Sequence, residues 1–244
     1  EFRRVLFRSR DMSESAEDPI TRLSSILFKT AFWCTAAPSA KNDPTEFEWE
    51  CDYEYTNQTV ELLTQVLVQH QKRLPYDAFI TAQTAVSLGE VEPIARPIFE
   101  ALIKQTRDEI GVCCFTTSSD NHTMWKDYGG NGNGVCIEVE VPDELLGEHL
   151  HVVDYAAVKR LHIDQLLASV LNDQLTQTKE IYSVALLTKT LKWAAEKEIR
   201  FVGFGQNFPV QISGSKITRL ILGSNLSAEN QQRISSLVES LRSE

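Results

Sequence analysis

The run Trp193-Ala194-Ala195-Glu196-Lys197-Glu198-Ile199-Arg200 concentrates groups able to do chemistry. In an extended strand alternate side chains point the same way, so Glu196, Glu198 and Arg200 share one face and Lys197, Ile199 and Phe201 the other. In a helix the two acids lie on nearly opposite sides, so the constellation exists only if the strand begins at Glu196. Carboxylates two residues apart on a strand sit about 7 Å apart. They can divide acid and base work if one is buried enough to stay protonated near neutral pH while the other stays ionised, a shift that Arg200 opposes. The competing reading is an ion-pair ladder on a sheet surface, where exposed pairs contribute roughly 0–1 kcal/mol each.

Other residues offer less specific chemistry. Trp125 and Tyr128 carry rings that either stack on a ligand or anchor a core. Asn42-Asp43-Pro44 is a turn, since a residue before proline avoids helical geometry, and Asp43 can reach from it into a cleft. Lys189, four residues before Trp193, is either a solvated helix end favoured by the dipole or a phosphate contact. Four glycines crowd GGNGNG (residues 129–134), but they follow a helical piece and precede a strand. Phosphate-binding loops run the other way, because a helix N-terminus holds the anion. Gly129 or Gly130 therefore reads as a left-handed helix cap and Asn131 to Gly134 as a turn.

These residues sit in a chain of 244 residues with formal charge −10 and pI near 5.1. That balance disfavours a sequence-independent grip on nucleic acid, which requires clustered cations. No apolar run approaches the roughly 20 residues a bilayer span requires. The five cysteines are odd in number and contain no C-x-x-C pair, and Cys113 and Cys114 are adjacent, which suits a reducing cytoplasm. His149 and His151 lack a third ligand at metal spacing, so no metal is predicted. The opening EFRRVLFRSR has no apolar h-region or cleavage site. VLFRS looks like a sequencing-library adapter translated in this frame, so residues 1–11 are expected to be a non-native leader. Without that segment's four arginines and two acids the charge becomes −12.

The positioning elements follow from periodicity. PITRLSSILFK (19–29) starts with Asp18-Pro19 and has an apolar face of Ile20, Leu23, Ile26 and Leu27, a short helix. AFWCT (31–35) and GVCCFTT (111–117) read as strands. Helical spacing runs from Asn57 to about Arg73 and continues to Gly111 with interruptions at Pro75, Gly89, Pro93 and Pro97. GVCIEVEV (134–141) alternates strictly and is the clearest strand. HIDQLLASVLND and KEIYSVALLTKTLKWAA read as amphipathic helices, EIRFVGF, FPVQI and ITRLILG as strands, and SAENQQRISSLVESLR as a closing helix from Ser227. Interleaving without a βαβ period predicts one α+β domain over 12–244, with a mixed central sheet, flanking helices and a helical insertion at about 57–110.

Several of these pieces carry a resemblance. SSDNHTMWKDY followed by GNGVCIEVEV resembles the M-W-x-x-Y … G-V-x-[IL] signature of a bacterial family catalogued as domain of unknown function twenty-nine seventy-one. PSAKNDPTE resembles its N-D-P-F-E turn, VVDY its V-x-Y, TKTLKWAAEKEIRF its K-x-x-x-W-x-x-E-x-E-[WYF]-R segment and KITRLILG its closing strand. The likeness runs in order from about residue 31 to 240. Thr45 replaces the usual aromatic of the turn. Nothing matches the family's opening strand with its Lys-Tyr pair, and the suspected adapter lies where that strand should end, which reads as truncation.

E-x-E at the head of a strand also resembles the way ADP-ribosyltransferases present a catalytic glutamate. The order is compatible, since Phe115-Thr116-Thr117-Ser118 resembles their S-T-S strand and precedes it, although their first-strand Arg or His has no counterpart. The resemblance implies Glu198 as the catalytic residue, Glu196 positioning ribose or acceptor, Thr117 and Ser118 supporting the pocket, and Trp125 or Tyr128 stacking on the base. Asn42, Asp43, Lys189 and Arg200 complete the candidate binding set. The activity implied is on an NAD-like or nucleotide N-glycosidic bond, with NAD as a substrate, in a cytoplasmic effector of conflict between bacteria and phage. The alternative is a non-catalytic interaction or sensor module whose Glu and Arg ladder is structural.

Overall fold

The computed structural model describes residues 3–12, 18–36, 50–54, 56–156, 160–172, 186–204 and 207–242. In chain order the elements are β1 (Arg3–Arg10), α1 (Pro19–Lys29), β2 (Ala31–Ala36), β3 (Glu50–Asp52), α2 (Asn57–His70), α3 (Tyr76–Ser87), α4 (Val91–Glu109), β4 (Ile110–Thr116) and α5 (His122–Asp127). There follow β5 (Val135–Pro142), β6 (Leu150–Val152), β7 (Asp154–Ala156), β8 (Arg160–His162), α6 (Ile163–Asn172), β9 (Thr188–Thr190), β10 (Glu198–Phe204), β11 (Phe208–Gln211), β12 (Lys216–Leu222) and α7 (Ala228–Arg242). The class is α+β, as the interleaved periodicities predict. Two compact units emerge: Glu1–Pro44, Ile110–Val153 and Leu191–Glu244 form the first, Thr45–Glu109 and Asp154–Thr190 the second.

The first unit is built on an eight-stranded sheet ordered β11-β2-β4-β1-β5-β12, with β10 also on β4 and β6 on β10. Its ladders are antiparallel. β4 forms a fork. β10 follows one of its edges from Glu198↔Thr116 to Phe204↔Ile110. The other edge is shared by β2, at Thr35↔Val112 and Ala36↔Gly111, and β1, at Phe7↔Thr116. Val135, Ile137, Val139 and Val141 are buried as their alternation demands, and they join Leu6, Phe32, Phe115, Ile199 and the inner faces of α1 and α7 in one core. Phe32 and Phe115 meet edge to face at 5.2 Å.

Helix starts follow their caps. Asp18 accepts from the Thr21 amide ahead of α1 at 3.2 Å, Pro19 sits at the first helical position, and Ser227 Oγ accepts from Asn230 N ahead of α7 at 3.2 Å. A serine, threonine or aspartate at this position satisfies a backbone donor that the helix itself cannot.

The arginine-rich segment Arg3–Arg10 forms β1, paired with β5 from Arg3↔Pro142 to Arg10↔Val135. Alternation sends Leu6, Arg8 and Arg10 to the core face. Arg8 spans the fork, donating from Nη1 to the Cys114 carbonyl at 2.5 Å and from Nη2 to the Trp33 carbonyl at 3.4 Å. Among the described residues the buried Nε atoms of Arg8 and Arg10 have no hydrogen-bond partner. Repulsion from Arg8, then burial, pulls the Arg10 guanidinium down to about 9.

The second unit is helical, with a core of Leu63, Val66, Leu67, Val86, Val91, Phe99, Leu161, Ile163, Leu166 and Leu167. Two short parallel ladders belong to it, β3 with β8 and β7 with β9. α2 opens on a reciprocal cap between Thr56 and Thr59. Pro93 and Pro97 do not interrupt α4 as the sequence suggests. Pro93 lies in the first turn, where its missing N–H has no intrahelical partner to lose, and Pro97 is carried inside the helix. The expected helix over KEIYSVALLTKTLKWAA is also corrected: residues 179–185 lie outside the described set, Thr188–Thr190 is strand, and Leu191–Glu196 is a 3-10 turn. Two β-branched threonines flanking Lys189 favour the extended form that pairs with β7.

Candidate functional site

β10 lies between β4 and β6, so both its edges are paired and its side chains are held by neighbours on each side. The pleat puts Glu198 and Arg200 on one face, opposite Thr116 and Cys114 of β4, with His151 of β6 also opposite Arg200. Ile199 and Phe201 take the other face and enter the core. Arg200 donates to the Glu198 carboxylate twice, Nε to Oε1 at 2.8 Å and Nη2 to Oε2 at 3.1 Å. Glu198 is 3% exposed and Arg200 1%. This is a buried fork-to-carboxylate pair, in which two parallel charge-assisted bonds fix geometry as well as charge.

Glu196 is not part of the strand. It ends the 3-10 turn, and Lys197 at φ 48° reverses the chain before β10 begins, so the predicted three-residue face reduces to Glu198 and Arg200. The left-handed step costs a residue with a Cβ on the order of 1 kcal/mol. Glu196 is nevertheless buried, and its Oε1 accepts from the Tyr128 hydroxyl at 3.3 Å.

The turn that delivers both acids is clamped from α5. Asn121 Nδ2 donates to the carbonyls of Ala195 at 2.8 Å and Glu196 at 2.9 Å, while its Oδ1 accepts from Met124 N at 3.2 Å and caps α5. Thr116 Oγ1 adds a donor to the Glu196 carbonyl at 2.8 Å. Trp125 is half-buried with Nε1 donating to the Ser119 carbonyl at 2.7 Å, and a Cβ at Gly129 would stand 2.8 Å from its ring. Glycine at 129 thus permits the indole to lie against the backbone.

The glycine loop behaves as a turn. Gly130 is left-handed at φ 57° after α5, and the carbonyls of Gly132 and Gly134 accept from Asn225 N and Gly223 N, both at 2.9 Å. Those acceptors face the chain's own donors, an arrangement with nothing to offer a phosphate.

The structure thus brings Tyr128 to Glu196 and Arg200 to Glu198 on either side of one turn, while Trp125 is hydrogen-bonded to Ser119. Thr117 is exposed, and Ser118 is bonded to Asp120, whose carboxylate is lowered chiefly by that hydroxyl. The β4 residue facing Glu198 is Thr116, one place earlier in the alternation than the sequence pattern suggests. Lys189 is on strand β9 rather than a helix, buried and opposite Tyr155 in the second unit. Asn42 and Asp43 lie outside the described residues. Sequence reasoning missed Asn121 and Thr116. An asparagine directly before a short helix is a cap signal, but its second set of bonds is tertiary. An open groove of about 710 Å³ over β12 and α7, lined by residues including Leu27, Leu220, Ile234 and Arg242, contains no predicted site residue. Among the described residues no group of three or more His, Cys, Asp or Glu side chains could hold a metal ion. Among them, too, no helix is long and apolar enough to cross a membrane.

Residues 124–201 match a family model described as "Protein of unknown function (DUF2971)". That span starts in α5 with Met124 and ends in β10 with Phe201, so it contains both predicted glutamates and the aromatics at the junction. No curated protein and no solved structure matches the chain.

Proposed function

We propose that this chain is a cytoplasmic bacterial enzyme acting on the N-glycosidic bond of an NAD-like or nucleotide substrate, in the manner of an ADP-ribosyltransferase. The single observation that carries it is Glu198 at the head of β10, buried and held in one orientation by Arg200 opposite Thr116. Cleaving an N-glycosidic bond builds positive charge on the ribose as the base leaves. A carboxylate already fixed beside that carbon stabilises the charge without reorganising, which is the greatest rate advantage such a site can supply. Arg200 occupies one position on each carboxylate oxygen and fixes the plane of the carboxylate that would face the ribose. Tyr128 orients Glu196 in the turn above, and Trp125 offers a ring face for the base. The role as an effector against phage rests on the family resemblance and the same site.

A second reading is favoured by the engagement of both Glu198 oxygens by Arg200 at a buried position: a structural pair in an interaction or sensor module. One measurement separates them. Purified full chain is incubated with NAD and with nucleoside triphosphates, and base release is followed alongside urea stability for wild type, Glu198→Gln and Tyr128→Phe. The enzyme reading expects turnover that falls roughly 10²-fold or more in Glu198→Gln after correction for folded fraction. Absence of base release by folded wild type, or equal rates in the two, leaves the structural reading.

A further inference from the structure

We propose that Cys34 and Cys113 form a redox-responsive thiol pair at the fork of β4, closing to a cross-strand disulfide when hydrogen peroxide enters the core of the first unit. The register places them. The β2–β4 ladder ends at Thr35↔Val112; continued one step, its register sets Cys34 against Cys113, and continued three it sets Phe32 against Phe115, whose rings do meet. Residues opposed in an antiparallel ladder have Cα atoms about 4.5–5.5 Å apart, inside the roughly 4.4–6.8 Å that a disulfide spans. Both side chains lie on the core face in one apolar cluster, and each thiol shifts the titration of the other. Cys136 faces Ser9 and Ile221 instead, Cys51 faces Leu161, and Cys114 turns to the opposite face with Arg200.

Their surroundings divide the roles. Burial raises the Cys113 thiol, but the hydrogen bond from Cys34 and the charges of Arg8 and Arg10 outweigh it and bring Cys113 down to about 7. Cys34 is raised, first by the same hydrogen bond and then by burial. Cys113 is therefore the more acidic thiol and Cys34 the less acidic, the division expected of an attacking and a resolving cysteine.

The chemistry balances with peroxide as oxidant. The Cys113 thiolate attacks one peroxide oxygen, the O–O bond breaks, and the departing hydroxide takes a proton to become water, leaving a sulfenic acid. Cys34 sulfur then attacks Cys113 sulfur, the S–O bond breaks, and the second oxygen leaves as water with the Cys34 proton. Two thiols lose two electrons and one peroxide gives two waters. Because both residues are fully buried, the rate follows opening of β2 from β4.

The full chain is treated with hydrogen peroxide, quenched, alkylated in denaturant and digested with trypsin without reduction. The proposal expects a mass loss of two hydrogens that dithiothreitol reverses, with peptide 30–41 joined to peptide 108–126 and fragment ions placing the bond on Cys113. In Cys34→Ser it expects Cys113 to gain two oxygens as sulfinate, having lost its resolving partner. Both thiols recovered fully alkylated in the wild type, or a bond to Cys114 instead, would overturn it; the wild-type map decides the matter even if the variant does not fold.

Discussion

Two sets of arginines are buried on opposite faces of the same sheet, and they differ in what meets them. Arg200 on β10 is matched by Glu198 two residues away, fork to carboxylate. Arg8 and Arg10 on β1 point into the apolar core, where Arg8 finds backbone carbonyls and the Nε of each has no hydrogen-bond partner among the described residues. A buried charge is tolerated when a counter-charge and hydrogen bonds replace lost water, and is costly when they do not. β10 has side chains fitted to both faces. β1 has an alternation that fits the slot between β4 and β5, and two arginines whose Nε atoms find no hydrogen-bond partner among the described residues.

Substitutions can break or sharpen that contrast. The largest effect is expected at the paired site: Arg200→Met or Glu198→Leu alone should destabilise by roughly 3–5 kcal/mol, since each breaks a buried, doubly hydrogen-bonded ion pair. The double variant should recover most of that loss in a urea-denaturation cycle, and additive losses would show that the two residues are not coupled. At the unmatched site the sign reverses. Arg10→Met should raise stability by about 1–4 kcal/mol, because a guanidinium keeps its proton and burying it is a net cost. Loss of stability there would mean that Arg10 has a role the contrast denies it.

The smallest effect is expected at the solvent-facing end of β5. Thr218's hydroxyl first, and then Arg219, hold the Glu138 carboxylate below its ordinary range. A lowered folded value contributes stability above the unfolded value near 4.5, lost as pH falls through the folded value. Glu138→Gln should remove that acid-side dependence at a cost of at most about 1 kcal/mol, since Arg219 is largely exposed. A thermal melt at pH 7 and at pH 3 checks both the size and the direction.

Most of the elements were legible from local pattern. Asp18-Pro19, the strict alternation of Val135 to Val141 and Ser227 each act within a few residues of themselves, so their consequences are written in order along the chain. The site was legible in part. That Glu198 and Arg200 share a face follows from the pleat alone, whereas the loss of Glu196 from that face follows from Lys197 turning left-handed, which no residue type at 197 announces. Lys189 was misplaced because a threonine-flanked lysine fits a strand or a helix end equally well until a partner strand is present.

Residue order along this chain therefore determined where strands and helices start and which side chains alternate together, since caps and pleats are short-range. Only the tertiary structure decided which strand lies beside which: that Thr116 rather than Thr117 faces Glu198, that Asn121 clamps the turn 74 residues away at Ala195, and that Thr35 lies opposite Val112. Those are choices of register between distant strands and loops, and register is set by how whole faces pack.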